Sequence, residues 1–230
     1  MTKIRGLLFD KDGTLFDFKQ TWGEWARRFF LDLAKGDPGR AAEFAHPLGY
    51  DFASGQFSKS SVIIAGTPDE VASALVAVFP DFSTAEMFDK VNAIAAKVPQ
   101  IETVPLIPLL QAFKADGLAI GVATNDAEAP ALAHLSSVNI LELFDFVAGF
   151  DSGFGAKPAP GMQHGFCKST GLDPAEVAMV GDSTHDLMSG RAAGMTTIAV
   201  LTGMAEAEEL APFADVVLPD IGAIPDWLDR

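Results

Sequence analysis

Two aspartates two residues apart, Asp10 and Asp12, stand in the stretch Asp10-Lys11-Asp12-Gly13-Thr14-Leu15 of this 230-residue chain. Of two carboxylates at the exit of a strand, one can attack an electrophile or hold a cation. The other can deliver a proton to the same small volume. Gly13 permits the sharp turn that brings both acids to one point, and the Thr14 hydroxyl is expected to tie that turn by bonding its backbone. An ordinary Asp/Gly turn explains the hexapeptide equally well.

Three further clusters bear on the choice. Thr124-Asn125-Asp126 offers a hydroxyl and an amide that can donate to an oxyanion, or else an N-cap for a following helix. Lys157-Pro158-Ala159-Pro160 fixes one cation in a proline-braced loop. There it can neutralise a phosphoryl group and the acids beside it, although most lysines are solvated surface charges. Gly181-Asp182-Ser183-Thr184-His185-Asp186 supplies two more carboxylates. Carboxylates with few other ligands, leaving room for waters and phosphate oxygens, suit Mg²⁺ rather than zinc. Taken singly, Asp182 reads as a helix N-cap and Asp186 as a first-turn acid favoured by the helix dipole.

The elements that must position these residues are legible from apolar patterning. Strands are expected at residues 4–9, 118–123, 146–148, 177–180, 196–200 and 216–218, with helices at 105–114, 130–138, 162–169 and 185–193 between them. Alternating strands and helices predict a doubly wound, Rossmann-like parallel sheet covered on both faces. Each cluster follows a strand or its connecting loop, and ligands of open α/β sheets bind at the carboxyl ends of the strands. Residues 16–98 read differently, as a helical block. Trp22, Trp25, Phe29, Phe30 and Leu33 recur at helical steps up to Gly36-Asp37-Pro38, and further helices are expected from Pro68, behind a Thr67 N-cap, to Phe79 and from 83 or 84 to 98. Residues 46–66 read as loop with a short helix. The domain division is therefore residues 1–15 with 99–230 as an α/β core, and 16–98 as an α-helical insertion.

The bulk numbers exclude several classes. A net charge of −15 argues against a nucleic-acid partner, which calls for a basic face. It also requires a local positive charge, from a metal ion or a lysine, if the substrate is an anion. One cysteine, Cys167, allows no intrachain disulfide and fits a reducing compartment. The apolar run after Lys3 and Arg5 is too short for a secretory signal, and no apolar stretch reaches the ~18 residues of a membrane span. A cytoplasmic protein is expected.

Asp10-Lys11-Asp12-Gly13-Thr14, Thr124-Asn125, Lys157-Pro158 and Gly181-Asp182-Ser183-Thr184-His185-Asp186 resemble, in order, the four motifs of the haloacid-dehalogenase-like superfamily of hydrolases. The insertion resembles the helical cap of its phosphoglycolate phosphatases and β-phosphoglucomutases. The resemblance implies that Asp10 is the nucleophile, forming an aspartyl-phosphate, and that Asp12 is the acid and then the base. It implies Mg²⁺ held by Asp10, the Asp12 backbone carbonyl and Asp182, with Asp186 ordering its waters. Thr124, Asn125 and Lys157 would bind the phosphoryl oxygens, with Gly13, Thr14 and Ser183 in support.

Lys11 departs from the apolar residue usual at its position, and Asp-Lys-x-Gly-Thr is shared with the P-type ion pumps. Those need membrane helices and carry Thr where this chain has Asp12. The dehalogenase branch does not use an acid two residues after its nucleophile. A response-regulator receiver, a non-enzymatic phospho-acceptor module, is much shorter and needs no insertion. A sugar-phosphate mutase is the nearest alternative. The expected activity is hydrolysis of a small phosphorylated metabolite, with phosphoglycolate the leading guess from the cap type alone. Trp22, Trp25, Phe29 and Phe30 are expected to form the core of the insertion. Some of Lys19, Arg27, Arg28 and Lys59 could reach a substrate carboxylate, though a solvated face suits each of them better. His46, His134 and His164 show no ligand spacing, and His185 is given no catalytic role.

Overall fold

A computed structural model of the chain describes residues 3–58, 61–65 and 68–229. It divides into two compact units, Met1–Phe18 with Gln100–Arg230, and Lys19–Pro99. Lys59 and the proposed N-cap Thr67 lie outside the described residues.

The first strand, β1 (Gly6–Phe9), is apolar and fully buried. The chain then enters the helical unit through α1 (Phe18–Leu33), which buries Trp25, Ala26, Phe29 and Phe30 along one face. Next come α2 (Pro38–Ala45), the short strands β2 (Tyr50–Asp51) and β3 (Gln56–Phe57), α3 (Val62–Ala65), α4 (Pro68–Val78) and α5 (Thr84–Ala95). The aromatic side chains of α1 form the core of this unit with Tyr50, Leu75, Phe79 and Met87, and the Tyr50 hydroxyl donates to the Gly23 carbonyl at 2.9 Å. Arg28 pairs with Glu24 at 2.7 Å, and Arg27 lies over the Phe52 ring.

Two features of this unit differ from the sequence reading. Gly36-Asp37-Pro38 ends α1 but also begins α2. The Asp37 carboxylate accepts from Gly39 N and Arg40 N, and Pro38 occupies the first turn, where a missing N–H costs nothing. Residues 46–66 hold a β2–β3 hairpin ahead of the short α3.

The remaining chain completes the α/β unit: α6 (Leu106–Ala115), β4 (Ala119–Ala123), α7 (Glu128–Ser137), β5 (Phe146–Ala148), α8 (Gly161–Thr170), β6 (Val177–Gly181), α9 (Thr184–Ala193), β7 (Thr196–Val200), α10 (Ala207–Leu210), β8 (Val216–Leu218) and α11 (Ile224–Leu228). The six-stranded sheet runs β5-β4-β1-β6-β7-β8, all parallel, with β1 in its interior. Alternate residues face opposite sides. Leu7 and Phe9 join α6 residues Leu106, Leu110 and Phe113, while Leu8 joins Met162 and Phe166 of α8. Burying each such side chain contributes about 1.5–3 kcal/mol, so the sheet is anchored on both faces.

Register sets up the site. Phe9 pairs with Val122 and with Val180. Asp10 therefore stands level with Ala123 and Gly181, and Thr124 and Asp182 each follow one step later. No described helix is long and apolar enough to cross a membrane.

Candidate active site

Asp10 leaves β1 at the carboxyl edge of the sheet and is held there by its N–H, which donates to the Val180 carbonyl at 2.8 Å. The turn that follows needs Gly13. Its φ of +85° is rarely adopted by residues with a side chain, and a Cβ at this position would meet Asp182 Oδ2 at 2.4 Å. Leu15 N and Phe16 N close the turn on the Lys11 carbonyl at 3.0 and 3.1 Å, and two threonines brace it from outside. Thr202 Oγ1 donates to the Gly13 carbonyl at 2.5 Å and Thr103 Oγ1 to the Thr14 carbonyl at 2.8 Å. The Thr14 hydroxyl does not tie the turn as expected: it is buried and has no hydrogen-bond partner among the described residues.

The four sequence clusters meet. One oxygen each from Asp10, Asp182 and Asp186, all buried, lie within 4.8 Å of one another. Lys157, 2% exposed, points its ammonium at Asp10 Oδ1 (2.5 Å), Asp186 Oδ1 (2.6 Å) and the Ala123 carbonyl (2.8 Å). An ammonium has three protons and no acceptor capacity, so these three oxygens match it in number. Ser183 caps α9. Its N–H and Oγ donate to Asp186 Oδ2 at 3.1 and 2.7 Å, which fixes that carboxylate and leaves Oδ1 for the cluster. The N-cap is thus Ser183, and Asp182 is free of that duty.

Electrostatics follow from crowding. Burial, only partly offset by Lys157, raises the Asp10 carboxyl from 3.8 to about 7, with Asp186 and Asp12 adding to the rise. Burial first, then Asp10 and Asp186, push Asp182 well above the ordinary carboxylate range. Burial alone would pull Lys157 down, but Asp10 and Asp186 hold it above the usual lysine value. Three packed carboxylates offering only oxygen, with a single ammonium against them, are short of positive charge. That donor set fits a hard divalent cation.

Thr124 is buried at the end of β4, and its Oγ1 accepts from Asp126 N at 3.0 Å. Among the described residues its hydroxyl proton has no acceptor, so it remains available to an incoming oxyanion. Asn125 differs from expectation. Its Oδ1 accepts from Lys157 N at 2.8 Å and its Nδ2 donates to the Lys157 carbonyl at 3.0 Å, so the amide braces the lysine loop instead of facing the carboxylates.

Asp12 does not join the three-acid cluster. Its Oδ2 lies 2.6 Å from the ammonium of Lys11, a residue with no exposed surface. Lys11 also approaches Asp126 Oδ2 at 3.3 Å and His134 Nδ1, on α7, at 3.1 Å. Burial would lower Lys11, yet Asp12 and Asp126 raise it above its ordinary value. Burial lifts Asp126 to about 6 against the pull of Lys11. One signal of this second network was legible beforehand, a lysine where an apolar residue is usual, and none pointed to His134.

A parallel, doubly wound sheet with acids, a hydroxyl and a lysine gathered at the carboxyl ends of β1, β4 and β6 defines a Rossmann-like hydrolase core. Residues 7–200 match the model of the haloacid dehalogenase-like hydrolases, and the chain belongs to that family. The phosphoglycolate phosphatase of Yersinia pseudotuberculosis is 30% identical, over 99% of this chain and 97% of that one. Other matches reach about half the length of the relative, as for the phosphoglycolate phosphatase of Rhodospirillum rubrum (31% identical, 53% of this chain, 51% of that one). The crystal structure of a HAD phosphatase from Thermococcus onnurineus shares the fold, with a TM-score of 0.67 at 20% identity over 98% of both chains.

Proposed function

We propose that this chain is a Mg²⁺-dependent phosphoric monoester hydrolase acting on a small phosphorylated metabolite, with phosphoglycolate as its substrate. The observation that carries the reading is the convergence of Asp10, Asp182, Asp186 and Lys157 on one buried point at the sheet edge. In this reading Asp10 attacks phosphorus and forms an aspartyl-phosphate as the bond to the leaving alkoxide breaks. Asp12 passes its proton to that alkoxide, then removes a proton from the water that attacks the intermediate and frees Asp10. Thr124 donates to a phosphoryl oxygen, and Lys157 balances charge between the acids and the phosphoryl group. Asp10, Asp182 and the Asp12 main-chain carbonyl would hold the metal, with Asp186 beside them. When bound, the ion supplies the positive charge that lets a carboxylate approach a phosphate dianion.

Lys19–Pro99 is then the family's cap insertion. The buried lone Cys167 supports a reducing compartment, and we assign the enzyme to the cytoplasm.

Phosphate release from a panel of phosphorylated metabolites, assayed with and without Mg²⁺, tests the reading. The expected result is turnover of phosphoglycolate above the rest, abolished by a chelator. Absence of release from every member would overturn the hydrolase, and preference for a sugar phosphate with return of the phosphoryl group to sugar would replace it with a mutase.

A further inference from the structure

We propose that Lys11 is a positioning residue for the proton-transfer step: it pins one carboxylate oxygen of Asp12 so that the other is presented to the leaving group. This rests on the hydrolase reading above. The ammonium is fully buried and reaches three partners on three segments, Asp12 Oδ2 at 2.6 Å, His134 Nδ1 at 3.1 Å and Asp126 Oδ2 at 3.3 Å. A lysine ammonium can only donate, so His134 offers a lone pair at Nδ1 and carries its ring proton on Nε2. Asp126 begins the loop after β4, and its Oδ1 accepts from Ala127 N at 2.8 Å. His134 is buried on α7, which follows. Two of the three tethers are therefore fixed by neighbouring backbone and helix packing, and the third end of the ammonium is aimed at Asp12.

The consequence is visible on Asp12 itself. Its Oδ2 is engaged by Lys11, whereas Oδ1 is buried and has no hydrogen-bond partner among the described residues. A buried carboxylate oxygen left open is costly. It is understandable where a reacting group supplies the missing contact. Held by one oxygen, the carboxylate has its rotation set, and a proton on Oδ1 faces one direction. Asp126 divides the charge of Lys11 with Asp12, so the lysine acts as an orienting post and not as a dedicated counter-ion. Misplacing a catalytic group by about an ångström can cost ~10²-fold in rate.

The test separates orientation from general damage by varying the leaving group. An alkoxide needs a proton as it departs, and p-nitrophenolate does not. Up to departure of that group, kcat/KM reports the first phosphoryl transfer. For Lys11→Leu the expected loss in kcat/KM on phosphoglycolate, or on the best alkyl phosphate found, is ~10²-fold, with a loss on p-nitrophenyl phosphate at least about tenfold smaller. Lys11→Leu strands the buried Asp126 charge and can fail to fold, so Lys11→Leu/Asp126→Asn is measured beside it with the same expectation. Lys11→Arg restores a cation of different shape and should recover only part of the alkyl rate. Equal losses on both esters, or no loss on either, with an active wild type, would overturn the positioning role and leave the hydrolase intact. A wild-type enzyme inactive on both esters would overturn the hydrolase and the positioning role together.

Discussion

Lys157 and Lys11 are both buried ammonium groups set among carboxylates, and each has three acceptor atoms within 3.3 Å, by hydrogen bond or ion pair. Their surroundings divide the site in two. Around Lys157 three acids share one cation, and the excess of negative charge suits a metal ion. Around Lys11 two acids and an imidazole surround the cation, and what stays open among the described residues is a single oxygen on each acid. The first half is built to receive charge, the second to hold a group still. Similar burial and similar partners thus serve different ends, and the count of carboxylates per ammonium tells them apart.

The comparison can be broken by substitution. The largest effect belongs to the first half. Asp10→Asn should lower turnover of alkyl and aryl phosphates alike by about 10⁴-fold or more, while circular dichroism shows the fold retained; appreciable turnover would remove Asp10 as nucleophile. Lys157→Met comes next. It leaves Asp10 and Asp186 unpaired, which costs about 3–5 kcal/mol in the metal-free protein. It should also cut kcat/KM by about 10²–10³-fold with both kinds of leaving group. A leaving-group-dependent loss here would erase the distinction drawn between the two lysines.

The smallest effect is read by melting the metal-free protein against pH. Asp10 holds its proton to about pH 7 in the folded chain, against 3.8 ordinarily. Between those values the folded state binds more protons than the unfolded one, so stability falls as pH rises through the window. Asp126, raised to about 6, and Asp182, also raised, act in the same direction. Asp51, Glu86 and Glu176 are held below their usual values by bonds from Ser54, Ser83 and the Asp173 main chain, and so lie below the pH 5 to 8 range of the measurement. The metal-free Tm should drop by several degrees from pH 5 to pH 8, and less in Asp10→Asn. Mg²⁺ should flatten the slope. A Tm that climbs over the same range would mean that the first half carries no such excess of charge.

Much of this architecture was legible because parallel strands buried on both faces are written as short apolar runs. Residues 146–148, 196–200 and 216–218 have the same bounds in sequence reading and structure. The acids and Lys157 were legible because each follows a strand end, and one sheet edge collects all strand ends. Other elements escaped for physical reasons. Asp37-Pro38 serves as both stop and start, and only the stop was read. The helices Ala207–Leu210 and Ile224–Leu228 are too short to show a period. Asn125 has the chemistry of an oxyanion donor, but Lys157, 32 positions away, claims both ends of its amide. Lys11 looked like a departure from pattern because its partners, Asp126 and His134, become neighbours only once β1 and β4 are paired.

The family match stops at Val200, yet two residues just beyond it touch the site. Thr202 ties down the Gly13 carbonyl, and Gly203 lies so close to Asp182 that a Cβ there would overlap Oδ2 at 1.6 Å. A chimaera that transplanted residues 7–200 alone onto a related scaffold would carry every recognisable motif. Unless the host also carried glycine at that position, the grafted carboxylate would have nowhere to stand.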